Sequence, residues 1–191
     1  MRYADNIFQI RNVLPNDNFL EIAEELNMIG NGNQWRFTKS DSEEANNRGW
    51  LFKPLLEGEF DNIGDNLVLI KYGTYLQYVC QKYVKKRLYL HRVNTNLQFF
   101  GQESDFHDDA PKGSWTLNLF AQPYWDTVWG GQFVIQTEDG DYFYYPYIPN
   151  NALIFPGHLE HMGHAPNVRC KLPRITVAFT YMELTSQVNG V

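Results

Sequence analysis

Hydrophobic positions recur along this chain in two rhythms, one for each half. After Pro15-Asn16-Asp17, the residues Phe19, Leu20, Ile22, Ala23, Leu26 and Ile29 return at helical spacing until Gly30-Asn31-Gly32-Asn33 ends the run. Apolar positions three and four apart, between a capping segment and a glycine stop, predict an amphipathic helix. Leu69, Tyr72, Leu76, Val79 and Tyr83 mark one side of a second helix over 67–87. Residues 6–14 read as a short strand ahead of the first helix. The polar segment 31–49 reads as a long loop with a strand at Trp35-Arg36-Phe37, placed to cover a mouth or simply to lie on the surface, and Pro54 to Asp65 reads as irregular.

From Leu88 the rhythm shortens to two. The stretch 87–100 is aromatic and β-branched with alternating polarity until Gly101 breaks it. Short strands are expected at 106–109, 114–121, 131–137, 142–147, 151–156 and 173–182, with Glu138-Asp139-Gly140-Asp141 as a turn between two of them. Helices first and many short strands afterwards predict a mainly β chain with N-terminal helices, an antiparallel sandwich or jelly roll. No internal repeat or linker divides it, so the expectation is a single domain over 1–191, with helical support and loops to about residue 87 and the β core over about 88–182.

Composition narrows the function. The chain has 191 residues, 43% hydrophobic and 16% aromatic, enough to bury a core. No apolar run reaches a membrane span, and the start lacks the apolar segment of a signal peptide. Cys80 and Cys170 lie far apart, as expected of reduced thiols in a cytoplasmic setting. Sixteen basic residues face 22 acidic ones, net −6, and the one basic cluster, Lys82, Lys85, Lys86 and Arg87, falls at the helical spacing of a solvated face. Nucleic acid is therefore not an expected partner.

The chemistry concentrates between Phe106 and Tyr181. His107-Asp108-Asp109 is an H-x-D, and on an extended segment residues i and i+2 point the same way, so His107 and Asp109 can address one point. A second histidine from a distant strand would complete the facial set of two histidines and one carboxylate that holds non-haem Fe(II) with positions left open. His158, His161 and His164, three residues apart, are the candidates. Arg174 opens the last strand, and an arginine buried in a barrel needs an anionic partner, with Arg169 as the fallback.

In order along the chain stand His107-x-Asp109, Thr116-Leu117-Asn118-Leu119-Phe120, Trp125, Gly130-Gly131-Gln132, Phe155-Pro156 through His161, and Arg174-Ile175-Thr176-Val177. This ordered set resembles the 2-oxoglutarate/Fe(II) dioxygenases in their prolyl 4-hydroxylase-like branch, over about Arg92 to Tyr181. The resemblance implies a double-stranded β-helix, a cupin-like jelly roll, with the metal inside. It implies Fe(II), 2-oxoglutarate as co-substrate and O2, and hydroxylation of a peptidyl residue or a small molecule with release of succinate and CO2. Among the three histidines it selects His161, six residues after Phe155. It gives Arg174 the far carboxylate of 2-oxoglutarate.

One departure stands out. Many members carry a tyrosine whose hydroxyl helps hold that carboxylate, where this chain has Phe120. By strand parity Thr116 and Asn118 share the Phe120 face, and Thr176 shares that of Arg174. Asn96 and Gln98 lie where members place a side chain against the co-substrate, so Asn96, Gln98 and Asn118 are the further candidates. Trp125, Trp129 and the tyrosines and phenylalanine of 142–147 are expected mostly as core, with an aromatic rim as the alternative. A cupin-type metalloprotein with other chemistry and a non-catalytic jelly-roll module are the competing readings.

Overall fold

The computed structural model describes residues 2–3, 6–31, 36–38, 50–56 and 67–184, and side chains within 6–26 and 67–184. The loop expected over 31–49 falls outside the described residues except for Arg36–Thr38. All strand pairs among the described residues are antiparallel.

Among the described residues eleven strands and two α-helices follow in the order β1 (Arg2–Tyr3), β2 (Ile7–Ile10), α1 (Asn16–Asn31), β3 (Arg36–Thr38), β4 (Trp50–Leu56), α2 (Leu67–Val84), β5 (Leu88–Gln98), β6 (Ser114–Phe120), β7 (Phe133–Gln136), β8 (Tyr142–Tyr145), β9 (Ala152–Pro156), β10 (His161–Gly163) and β11 (Arg174–Glu183), with a short 3-10 turn at Thr127–Trp129. They form a large sheet ordered β1-β2-β9-β6-β11-β5-β4-β3 and a small one ordered β10-β7-β8. The protein is mainly β with helices toward its N-terminus.

Three differences from the sequence expectation have physical causes. Trp50–Leu56 is a strand despite Pro54. Proline cannot donate to a ladder, but three-residue β3 pairs only with Trp50 to Phe52, so Pro54 lies past its end, and the register with β5 shifts between Pro54 and Leu56. His161–Gly163 is a strand too short for periodicity to reveal. Conversely, 106–109 forms only a single bridge, His107 to His161.

β2 ends at Ile10, and the Pro15 carbonyl accepts the Phe19 N–H at 3.0 Å to start α1. The helices lay Phe19, Ile22, Leu26, Leu69, Tyr72 and Leu76 on one face of the large sheet, against Val93, Leu117, Ile154, Val177 and Phe179. Approach is close: a Cβ on Gly73 of α2 would meet Leu90 at 2.8 Å and Phe179 at 3.0 Å. Phe120, Leu153 and Phe155 leave the opposite face of the same sheet and pack with Phe133, Ile135 and Tyr145 of the small one. The order of layers is helices, large sheet, small sheet. No helix among the described residues is long and apolar enough to cross a membrane.

Candidate metal centre

Two backbone hydrogen bonds place the first two ligand candidates side by side. His107 N–H donates to the His161 carbonyl at 3.1 Å, and His161 N–H returns one to the His107 carbonyl at 2.9 Å. The two rings lie 4.6 Å apart between centroids. Asp109 is fixed two residues on by its N–H to the Gly157 carbonyl, 2.9 Å. Ligand atoms of His107, Asp109 and His161 all lie within 4.8 Å of one another.

The imidazoles are oriented for ligation. Nδ1 of His107 meets the Asp105 carbonyl and Nδ1 of His161 the Leu159 carbonyl, each at 2.9 Å. Such a bond fixes the tautomer and presents Nε2 as the donor. His161 Nε2 faces Asp109 Oδ2 at 3.6 Å. The His161 ring is buried between Phe133 and Phe155, centroids 5.3 and 4.8 Å away. This burial pushes its pKa down to about 4 against the pull of Asp109, so the ring is neutral at physiological pH. Burial works against the charged Asp109 as well, but His161, the Thr116 hydroxyl and Arg92 outweigh it and hold the carboxyl below its usual range. A neutral His161 and an ionised Asp109 are in the protonation states that a metal ion needs of its ligands.

The rival histidines point elsewhere. His158 Nε2 lies 3.1 Å from Glu138 Oε1, and His164 Nδ1 lies 3.3 Å from Glu103 Oε2.

Arg174 is 1% exposed. Nε donates to the Gly131 carbonyl at 2.9 Å, Nη1 to Gln98 Oε1 at 2.8 Å, and Cζ sits 5.3 Å from the Tyr147 ring centre. Nη2 is buried without a partner, and no carboxylate of the described residues pairs with the guanidinium. Burial pushes its pKa down to about 10, with Tyr147 and Glu103 opposing, so it remains a cation at neutral pH. Two glycines make the room: a Cβ on Gly163 would lie 2.8 Å from Nη1, and one on Gly131 would lie 2.8 Å from Trp125 and 3.3 Å from Arg174 Cδ. Gly131 also has φ +75°, and it is the second glycine of the Gly130-Gly131-Gln132 motif. Arg169, the fallback, is exposed.

The remaining candidates divide. Gln98 spends its amide on Arg174, the Gln102 carbonyl and the Gly163 carbonyl, so it braces the arginine. Asn118 is buried with Nδ2 unpartnered, and Asn96 is half-buried across the sheet from Thr176. Phe120 stacks on Tyr147 at 4.8 Å, but the Tyr147 hydroxyl already donates to the Ile175 carbonyl and accepts from Gln122 N–H. The Tyr147 hydroxyl is therefore not free to replace the one missing at Phe120. Trp125, Tyr145 and Tyr147 are core, whereas Tyr142 and Tyr144 are 49% and 64% exposed.

Sequence reasoning missed the residues that hold Asp109. Thr116 Oγ1 donates to Oδ2 at 2.7 Å, and Arg92 Nη2 donates to the Asp109 carbonyl at 2.7 Å and to Oδ1 at 3.2 Å. Strand parity was the available signal, because Arg92 falls on the face of Asn94, Asn96 and Gln98.

Neither a family model nor a curated protein matches the sequence. Solved structures do match the fold. A prolyl-4-hydroxylase from Pseudomonas putida superposes with TM-score 0.71 at 13% identity, covering 95% of this chain and 94% of that one. A non-haem α-ketoglutarate-dependent epimerase of nogalamycin biosynthesis gives 0.72 at 12%, covering 95% and 80%. A Trichoplax adhaerens prolyl hydroxylase, solved with a hypoxia-inducible-factor peptide, gives 0.71 at 14%, covering 94% and 84%. The chain has the fold of these enzymes. At such identities the likeness speaks for the fold, and the chemistry rests on the side chains described above.

Proposed function

We propose that the protein is an Fe(II)- and 2-oxoglutarate-dependent dioxygenase that hydroxylates a peptidyl residue or a small molecule. In this reading residues 1–191 are one domain, and the two sheets are the walls of a double-stranded β-helix. His107, Asp109 and His161 hold the iron through Nε2, Oδ2 and Nε2. The observation that carries the co-substrate is Arg174, a buried cation with one N–H pair unsatisfied on the inner face of the large sheet. An unpaired buried charge is costly, and a ligand carboxylate in that place would be held by a charge-assisted bond.

The donor set fits the metal: two neutral imidazoles and one carboxylate are the facial ligands of non-haem Fe(II), with positions left for other ligands. Iron with 2-oxoglutarate and O2 would supply the oxidising power, releasing succinate and CO2. The chain's part is to orient and to exclude water. Arg174, steadied by Gln98 and Gly131, fixes the far carboxylate, and the unpartnered Asn118 Nδ2 offers a further donor on the same face. Thr116 keeps Oδ2 of Asp109 turned toward His161. Phe133 and Phe155 shield the buried histidine. Two solved neighbours support both substrate classes, one holding a peptide and one holding nogalamycin RO. Buried free Cys80 and Cys170 suit a reducing compartment.

The test is anaerobic loading with Fe(II) and 2-oxoglutarate, then admission of O2 with succinate as the readout. Succinate formation that needs all three components is expected. Bound metal with no succinate, across a panel of peptides and small molecules, would favour a metalloprotein of other chemistry.

A further inference from the structure

We infer that Arg92 is a positioning residue that keeps Asp109 a one-oxygen ligand, and so keeps a coordination position open. The inference rests on the metal-centre reading above. Arg92 lies on β5, its side chain 23% exposed, and Asp109's is 8% exposed. One nitrogen, Nη2, grips Asp109 twice, at the main-chain carbonyl (2.7 Å) and at Oδ1 (3.2 Å). The guanidinium is itself held, because the Asn94 amide oxygen, turned toward it, accepts from Nε at 3.1 Å.

The two carboxylate oxygens are thereby given different work. Oδ2 takes the Thr116 hydroxyl and faces His161 Nε2, so it is the oxygen aimed at the metal position. Oδ1 is drawn to Arg92. A carboxylate oxygen has two lone-pair directions, so Oδ2 can serve Thr116 and a metal together. Oδ1 cannot turn to the metal without leaving the guanidinium. A carboxylate released from that hold can chelate through both oxygens, as carboxylates do at less constrained sites. That second bond would fill a position that a chelating co-substrate needs. Arg92 also offsets the charge of Asp109, which otherwise adds to its donation to the metal.

The experiment compares wild type with Arg92→Met and Arg92→Lys, using Mn(II) as the metal probe and N-oxalylglycine as an inert co-substrate analogue. Three quantities are read: Mn(II) affinity, the number of exchangeable waters on bound Mn(II) from water-proton relaxation, and N-oxalylglycine affinity. Arg92→Met is expected to bind Mn(II) as well as wild type or better, to carry one water fewer, and to bind N-oxalylglycine about tenfold more weakly, a change of ~1.4 kcal/mol. Arg92→Lys keeps a donor and the charge, and should fall between. A general structural role predicts something else: Mn(II) affinity and melting temperature fall together while the water count on the remaining bound metal stays constant. That result overturns the inference, as does an Arg92→Met protein matching wild type in all three quantities. If Arg92→Met does not fold, Arg92→Lys decides alone, and a wild-type water count with wild-type analogue affinity in it also overturns the inference. Wild type failing to bind Mn(II) would be a separate failure, that of the metal-centre reading.

Discussion

On strand β6 the side chains of Trp115, Leu117 and Leu119 go to the helices, while Thr116, Asn118 and Phe120 go the other way. Strand β11 repeats the division, with Ile175, Val177, Phe179 and Tyr181 against the helices and Arg174, Thr176 and Thr180 opposite. On these two strands both faces are buried, the first by apolar side chains and the second by Phe120 and Ala178 together with polar ones. The second keeps Arg174 Nη2, Asn118 Nδ2 and Thr180 Oγ1 without partners. Each unsatisfied buried polar group costs about 1–3 kcal/mol, more when charged. The comparison sets an apolar face that supplies stability against a face of the same sheet that leaves buried polar groups unsatisfied.

The sharpest way to break this division is Asp109→Ala. It should abolish Fe(II)-dependent succinate formation while the melting temperature stays near wild type, because the helix-backed face is untouched. Retained turnover in the purified variant would remove Asp109 from the metal. His161→Ala should likewise lose iron, whereas His158→Ala and His164→Ala, whose rings face Glu138 and Glu103, should bind it as wild type does by titration.

Arg174→Gln comes next. Loss of a charge partner in a buried pair costs on the order of 3–5 kcal/mol, so co-substrate affinity should fall roughly a hundredfold or more, with Mn(II) affinity unchanged. The same change should stabilise the ligand-free protein. A buried base whose pKa is depressed to about 10 pays its cost at every pH below that value, where the unfolded chain holds the proton more tightly. Denaturant unfolding of the apo variant at pH 7 checks the gain, and equal stability would show that the guanidinium is satisfied.

On the helix-backed face, Leu117→Ala should cost about 2–5 kcal/mol of unfolding free energy, with Mn(II) affinity per folded molecule unchanged. The smallest effect concerns pH. His161 has a folded pKa near 4 against an ordinary 6.5, so its contribution is fully present above about pH 6.5. That contribution is lost as pH falls from there toward 4, because the unfolded state takes up the proton first. Metal-free stability measured across that window should decline, and His161→Asn should flatten the slope.

Much of this division was legible in the sequence, because burial on two faces still leaves a period of two when one face is polar. Thr116 and Asn118 could be placed together from parity alone, as could Asn94, Asn96 and Gln98. Only the resemblance, through its spacing from Phe155, separated His161 from His158 and His164, since the contact that brings it to His107 is a bridge across 54 residues. Parity puts Arg92 on the face of Asn94, Asn96 and Gln98, but its hold on Asp109 was not legible, because it crosses from one strand to the loop ahead of another. Gln98 was placed near the co-substrate from its position on the strand, but whether its amide faces a ligand or Arg174 depends on three-dimensional packing. β4 was missed because a proline is read as ending a strand, and only the partner's length shows that it need not.

Strand β5 carries one residue more than its neighbour can match. Opposite β11 the register runs Thr180 to Arg92 and then Tyr181 to Leu90, which leaves His91 without a counterpart. The extra residue is a bulge, and bulges bend a strand and re-aim the side chain beside them. Leu88 and Leu90 before it, and Val93 and Leu97 after it, all reach the helices, so the insertion is absorbed without exchanging the faces. Chain length is thus a variable separate from side-chain chemistry here. Deleting His91 should keep the apolar alternation of the strand while straightening it beneath Arg92, and so re-aim that guanidinium with His107, Asp109 and His161 all left in place.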